Sequence, residues 1–189
     1  MNLLTAASAV DGRIIGDDVN FDAVATDSRQ LSGGELFVAL KGDNYDGHDF
    51  ALQAKGCGAV AAMTSHELAL DMPTLVVGDT TVSLGKLAAH WRDQFELPVV
   101  AVTGSNGKTT VREMITLILQ QAGPVLAPEK NFNNQIGMPV TLLRLRAEHS
   151  FAVLELGMNQ SGNVWYNLRV EVIYNYHGPC EFMQAVAHS

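Results

Sequence analysis

Between the apolar run Val99-Val100-Ala101-Val102 and an amphipathic stretch that starts near Thr109 lies Thr103-Gly104-Ser105-Asn106-Gly107-Lys108-Thr109-Thr110. Glycines in such a turn let backbone amides converge on phosphate oxygens. A helix N-terminus adds positive potential, an ammonium such as that of Lys108 neutralises charge, and a hydroxyl such as that of Thr109 suits Mg²⁺. Gly104, Ser105, Asn106, Gly107, Lys108, Thr109 and Thr110 are therefore candidates for a nucleotide-phosphate cradle. Two residues, Ser105 and Asn106, separate the glycines where four are usual. A glycine-rich turn with an incidental lysine is the alternative; the flanking strand and helix signals and the Gly-Lys-Thr triplet favour the cradle.

Glu155 closes a second apolar run, Phe151-Ala152-Val153-Leu154. A carboxylate at that end of a buried strand lies at the edge where open α/β sheets bind ligands, and it suits a hard divalent cation. A solvated strand-end glutamate is the lesser alternative. Asn133 and Asn134 sit in an Asn- and Pro-rich loop and serve either as polar contacts or as turn formers. In the first half, Asp27 with Arg29 reads as a surface turn and His48 as a solvated loop imidazole. His66, His90, His149 and His188 lack the spacing of a metal or nucleophile site. Cys57, between two glycines ahead of an apolar run, reads as a buried thiol.

These candidates need a scaffold. The chain has 189 residues, 47% of them hydrophobic and 17% charged, a balance that predicts a folded protein of one large or two small domains. Twelve basic against twenty acidic residues, net −8, with no basic run, exclude a tracked phosphodiester backbone. Two distant cysteines point to a reducing compartment. The apolar start lacks a basic flank and is cut by Asp11, unlike a signal peptide, and no segment reaches the roughly 18 apolar residues of a membrane helix. The expectation is a soluble cytoplasmic protein.

Leu36–Leu40, Ala59–Met63 and Thr74–Val77 read as buried strands, with helices over Asp49–Lys55 and Thr81–Phe95. Pro98 then opens a second α/β unit, so the predicted domains are residues 1–95 and 96–189. In that unit a helix from Thr109 to Gln121 carries Val111, Met114, Ile115, Ile118 and Leu119 as its apolar face, and a further helix is expected around Pro139–Leu145. Strand, helix, strand in this order predicts a mainly parallel sheet.

Val102-Thr103-Gly104-Ser105-Asn106-Gly107-Lys108-Thr109-Thr110 resembles the shortened phosphate loop of the Mur ligases, ATP-dependent amide-forming enzymes of peptidoglycan precursor synthesis. Thr26-Asp27-Ser28-Arg29, followed by Gly34 to Ala39 and by Gly42-Asp43-Asn44-Tyr45-Asp46-Gly47-His48-Asp49-Phe50, is similar to the family's UDP-sugar-binding N-terminal domain. Asn131-Phe132-Asn133-Asn134-Gln135-Ile136-Gly137-Met138-Pro139 resembles the branch that adds D-alanyl-D-alanine. The likeness runs from about residue 10 to residue 162.

The resemblance implies an α/β protein: a small UDP-muramoyl-peptide-binding domain, then the first part of a P-loop ATPase domain. It implies ATP and Mg²⁺ as cofactors, and UDP-N-acetylmuramoyl-tripeptide and D-alanyl-D-alanine as substrates joined through an acyl phosphate. Lys108 and Glu155 take catalytic roles, Thr109 and Glu155 the metal, and Asn133 and Asn134 part of the nucleotide site. Ser28 and Arg29 meet the uridine nucleotide, with Asn44, Asp46, Gly47 and His48 beside it. A monomer without nucleic-acid or membrane partners is expected.

After Gly162 the likeness fails: Asn163 stands where the family usually has Glu, Glu181 where it has a metal-binding His, and the chain stops before the family's carbamylated lysine. A truncated ligase is thus expected. A diaminopimelate- or lysine-adding ligase, a non-catalytic nucleotide-sugar module and a P-loop kinase are the rival readings.

Overall fold

The computed structural model describes residues 1–128 and 135–157, and the backbone of 171–175. It forms two compact units, one over Met1–Trp91 and one from Arg92 onward.

The first unit opens with α1 (Leu3–Val10), capped by the Asn2 side chain, which accepts from the Thr5 amide, and closed by Asp11 at φ 55°. Then come β1 (Arg13–Ile15), β2 (Ala23–Ala25), β3 (Glu35–Val38), α2 (Ala51–Gly56), β4 (Ala61–Thr64), β5 (Thr74–Val76) and α3 (Thr80–Arg92). The sheet order is β1-β5-β4-β3-β2, parallel except for β1, which pairs antiparallel with β5. β3 and β4 are buried at every position, their apolar residues as a covered parallel sheet requires and the polar Glu35 and Thr64 at their ends as well. Leu84 and Leu87 of α3 are fully buried, each contributing about 2 kcal/mol.

The short α1, β1 and β2 lie outside the expected elements, although the buried residues of α1, Leu3, Ala6, Ala7 and Val10, recur at helical spacing. The helix predicted over Asp49–Lys55 begins as a 3-10 turn, Gly47–Phe50, and becomes α2 at Ala51. α3 ends at Arg92, three residues before the predicted end, because the Arg92 guanidinium turns to the Phe95 and Leu97 carbonyls at 2.8 and 3.2 Å.

The second unit contains β6 (Val99–Gly104), α4 (Lys108–Leu119), β7 (Val125–Leu126), α5 (Gly137–Leu142), β8 (Phe151–Glu155) and β9 (Glu171–Asn175). Its sheet, ordered β7-β8-β6-β9, is parallel throughout the described strands. β6 lies between β8 and β9, so the turn after Gly104 leaves the sheet at its carboxyl edge, between two neighbouring strand ends.

One expectation holds only in part in α4. Of the predicted apolar face, Val111, Ile115 and Leu119 are half-buried, whereas Met114 and Ile118 are 57% and 66% exposed, and Leu117 beside them is 62% exposed. Arg112 and Thr116 are the residues buried. The helix is turned by the polar contacts of its first turns, which draw that side toward the end of β8. Cys57, expected buried, is exposed, because it lies in the turn after α2 and not in β4.

Candidate functional site

β6 delivers Gly104 at φ 147° and the turn delivers Gly107 at φ 72°, conformations that a Cβ would strain. Gly107 is the N-cap of α4 and supplies no side-chain cap, and the first turn of α4 holds no acidic residue. The amides at this helix end therefore keep their positive potential for an anion. Lys108 is half-buried and folds back so that Nζ donates to the Gly104 carbonyl at 2.7 Å, holding the ammonium over the loop. Ser105, Asn106, Gly107, Thr109 and Thr110 are exposed around it.

Glu155 is brought to the same place by register: it lies opposite Val102 across the β6–β8 pair. Thr109 Oγ1 donates to Glu155 Oε2 at 3.0 Å, and Arg112 Nη1 approaches that oxygen at 3.4 Å. The Glu155 side chain is 2% exposed, so it is not a solvated strand-end residue. Arg112 also pairs with Glu113, and its Nε is buried without a hydrogen-bond partner among the described residues. Arg112 is not among the sequence-derived candidates, although its position three residues after Thr109 puts both on one helix face, a signal the sequence carries. Hydroxyl and carboxylate oxygens together are the donors a hard divalent cation takes, so Thr109 and Glu155 fit Mg²⁺.

The first unit holds a cavity of about 610 Å³ beside the 3-10 turn Ser28–Gln30. It is lined by Thr26, Asp27, Ser28, Arg29 and Phe37 and by Tyr45, Gly47, Phe50 and Gln53. Arg29 is held by a fork to Asp27, Nε to Oδ1 at 2.9 Å and Nη2 to Oδ2 at 2.7 Å, while remaining 81% exposed at the side chain. Those bonds, with the Arg29 amide also donating to Asp27, hold the Asp27 carboxyl down to about 2. Gly47 is seated against the main chain, where a Cβ would meet the Leu40 oxygen at 2.6 Å.

Of the predicted substrate contacts, Ser28, Arg29 and Gly47 line this cavity; Asn44, Asp46 and His48 are not among its lining residues. Asn44 is exposed. His48 is buried and bonded, not a solvated loop imidazole: Nδ1 meets Asp46 Oδ1 at 2.5 Å and Nε2 accepts from the Ser65 amide at 2.9 Å. Asn133, Asn134 and Glu181 lie outside the described residues.

Two family models match: the Mur ligase middle domain over residues 102–175, and the Mur ligase family, catalytic domain, over residues 20–104. A UDP-N-acetylmuramoyl-tripeptide–D-alanyl-D-alanine ligase of Escherichia coli K12 is 51% identical over 155 residues, 82% of this chain and 34% of that protein. The ligase of the same name from Haemophilus influenzae is 40% identical over 176 residues, 90% of this chain and 38% of that protein. Among solved structures, MurF from Acinetobacter baumannii superposes with a TM-score of 0.78 at 38% identity, over 84% of this chain and 36% of its own. MurF from Thermotoga maritima in complex with ADP gives 0.68 at 31% identity, over 77% and 34%. The chain spans about a third of the length of the relatives it matches.

Proposed function

The chain belongs to the Mur ligase family, and from that premise we propose that it is the front part of a ligase that adds D-alanyl-D-alanine to UDP-N-acetylmuramoyl-tripeptide at the expense of ATP. The observation that carries the proposal is the left-handed Gly107 opening an uncapped helix, with the Lys108 ammonium over the loop and Glu155 against Thr109.

The loop of Gly104 to Thr110 takes the triphosphate: backbone amides bind its oxygens and Lys108 neutralises the charge that builds on the γ-phosphoryl group in transfer. That transfer breaks the bond from γ-phosphorus to the bridging oxygen, releases ADP and joins the phosphoryl group to the peptide's terminal carboxylate. Attack by the amine of D-alanyl-D-alanine on the acyl carbon then forms the amide and expels phosphate. Thr109 and Glu155 would hold Mg²⁺, which supplies electrostatic stabilisation of the phosphates.

The cavity of the first unit takes the uridine-nucleotide end of the peptide substrate. Arg29 stands at its rim as a cation for the pyrophosphate, and the faces of Tyr45 and Phe50 offer the base an apolar surface. Asn44, Asp46 and His48 shape the loop beside it, and Asn133 and Asn134 contribute polar groups to the nucleotide site. A cytoplasmic, monomeric protein acting on soluble nucleotides is part of the same proposal; among the described residues no helix is long and apolar enough to cross a membrane.

Calorimetric titration with Mg-ATP and, separately, with UDP-N-acetylmuramoyl-tripeptide tests this. Both are expected to bind, and Lys108→Ala is expected to weaken ATP by at least about a hundredfold, as removal of a charged phosphate contact should, while leaving the UDP-sugar unaffected. Absence of heat with ATP would end the proposal.

A further inference from the structure

We propose that His48 is a positioning residue: its neutral imidazole, protonated on Nδ1 alone, clips the loop carrying Tyr45 and Gly47 to the turn that follows β4. The functional consequence rests on the reading that the adjoining cavity takes a uridine nucleotide; the tautomer and the clip do not.

A main-chain N–H can only donate. The Ser65 amide points at His48 Nε2 from 2.9 Å, so Nε2 must present its lone pair. The other ring nitrogen faces Asp46 Oδ1 at 2.5 Å and therefore carries the proton. Ser65 Oγ lies 3.1 Å from Nε2 and 3.3 Å from His66 Nδ1, so Ser65, His48 and Asp46 share the outline of a nucleophilic triad. They cannot work as one, because the lone pair a general base would use is already engaged by an amide in a buried position.

What the imidazole joins is a loop that doubles back after β3. The Gly42 amide donates to the Tyr45 carbonyl at 3.0 Å, and the Gly47 amide donates to the Leu40 carbonyl at 2.8 Å. Asp46 caps the 3-10 turn by accepting from the His48 amide at 3.0 Å and pairs with Lys41 at 3.7 Å. Across the gap stands the end of β4, where Thr64 Oγ1 donates to the His66 carbonyl at 2.8 Å and the His66 ring stacks on His48 with centroids 4.6 Å apart. His48 thus ties two carboxyl-edge loops of one sheet, and one of them supplies Tyr45 and Gly47 to the cavity. The charged and titratable groups around the imidazole are Asp46, Lys41 behind it and His66; a proton added at Nε2 would set N–H against the Ser65 N–H and release the clip.

The test uses the 189-residue chain labelled with ¹⁵N-histidine. At neutral pH the His48 shifts are expected to show a protonated Nδ1 and a bare Nε2; the opposite tautomer would overturn the proposal. His48→Gln returns an acceptor toward Ser65, whereas His48→Asn keeps a donor toward Asp46 and reaches nothing beyond it. Amide exchange at Gly47 is expected to accelerate about tenfold in His48→Asn and to stay within about threefold of the parent in His48→Gln, the scale of one buried hydrogen bond. UDP affinity should fall in the same order, with ATP affinity unmoved in both. Equal exchange at Gly47 in all three proteins would sink the clip. No UDP binding by the parent would instead remove the reading of the cavity, while the shifts and the exchange still decide the clip.

Discussion

Thr109 Oγ1 donates to Glu155 Oε2 at 3.0 Å, joining the first turn of α4 to the last residue of β8 across 46 positions of sequence. The same carboxylate faces the buried guanidinium of Arg112. Glu155 is therefore both a candidate cation ligand and the group against which α4 is docked. This arrangement also accounts for the orientation of the helix, since Thr109, Arg112 and Thr116 recur at helical spacing on the side nearest the strand.

Glu155→Gln keeps the shape and deletes the charge, leaving Arg112 buried beside a neutral amide. The loss of stability is expected to be about 3 kcal/mol, the scale on which breaking a buried ion pair acts. Adding Arg112→Met should recover part of it, so that the double variant is at least about 1 kcal/mol more stable than the sum of the single changes predicts. Urea unfolding of the four proteins measures this. Strict additivity would mean that the two side chains do not hold one another.

Gly47→Ala places a methyl group 2.6 Å from the Leu40 oxygen and 2.7 Å from its nitrogen, main-chain atoms that cannot step aside. Overpacking of this kind costs about 2 kcal/mol, and here it also pushes the cavity wall outward. A drop in melting temperature with weaker UDP binding is expected. Gly56→Ala in the last turn of α2 meets nothing within 4 Å and should be neutral or slightly stabilising.

The Asp27 carboxyl is held at about 2, below its ordinary 3.8, chiefly by the Arg29 side chain and then by the Arg29 amide. A depressed value in the folded state means the contribution is fully present above pH 3.8 and is lost as pH falls through about 2. Carbon-detected titration should place the Asp27 midpoint near 2. Arg29→Ala removes the side-chain fork and leaves the amide, so the midpoint should climb part of the way back. An unmoved midpoint would show that the fork does not hold in solution.

The phosphate loop is legible in the sequence because its chemistry is local: strand, glycines, Lys108 and helix follow one another without a gap, and the structure gives them that form from Val99 to Leu119. Glu155 is legible as the end of an apolar run; its partner Arg112 is marked only by its place three residues after Thr109 on one helix face, a spacing that does not separate a buried partner from an exposed helix charge until the sheet is placed beside it. The Asp46-Gly47-His48 motif reads as one set of contacts, yet Gly47 faces the cavity while His48 turns to Ser65. Sequence pattern marks such a loop as special without saying which way each side chain goes.

The apolar stripe of α4 tests the limit of periodicity. Met114, Leu117 and Ile118 have the spacing of a buried face and are more than half exposed, while Arg112 and Thr116 are buried and Thr116 Oγ1 donates to the Arg112 carbonyl at 2.8 Å. Apolar residues at helical spacing mark the dry side of a helix only when apolar packing chooses that side. Here the Glu155 contacts choose it. Leu117→Lys should therefore change the unfolding free energy of the 189-residue chain by no more than about 0.5 kcal/mol and raise its solubility, as removal of an exposed apolar side chain does. A loss of about 2 kcal/mol or more, the cost of opening a packed core at leucine, would show instead that the stripe is covered in solution.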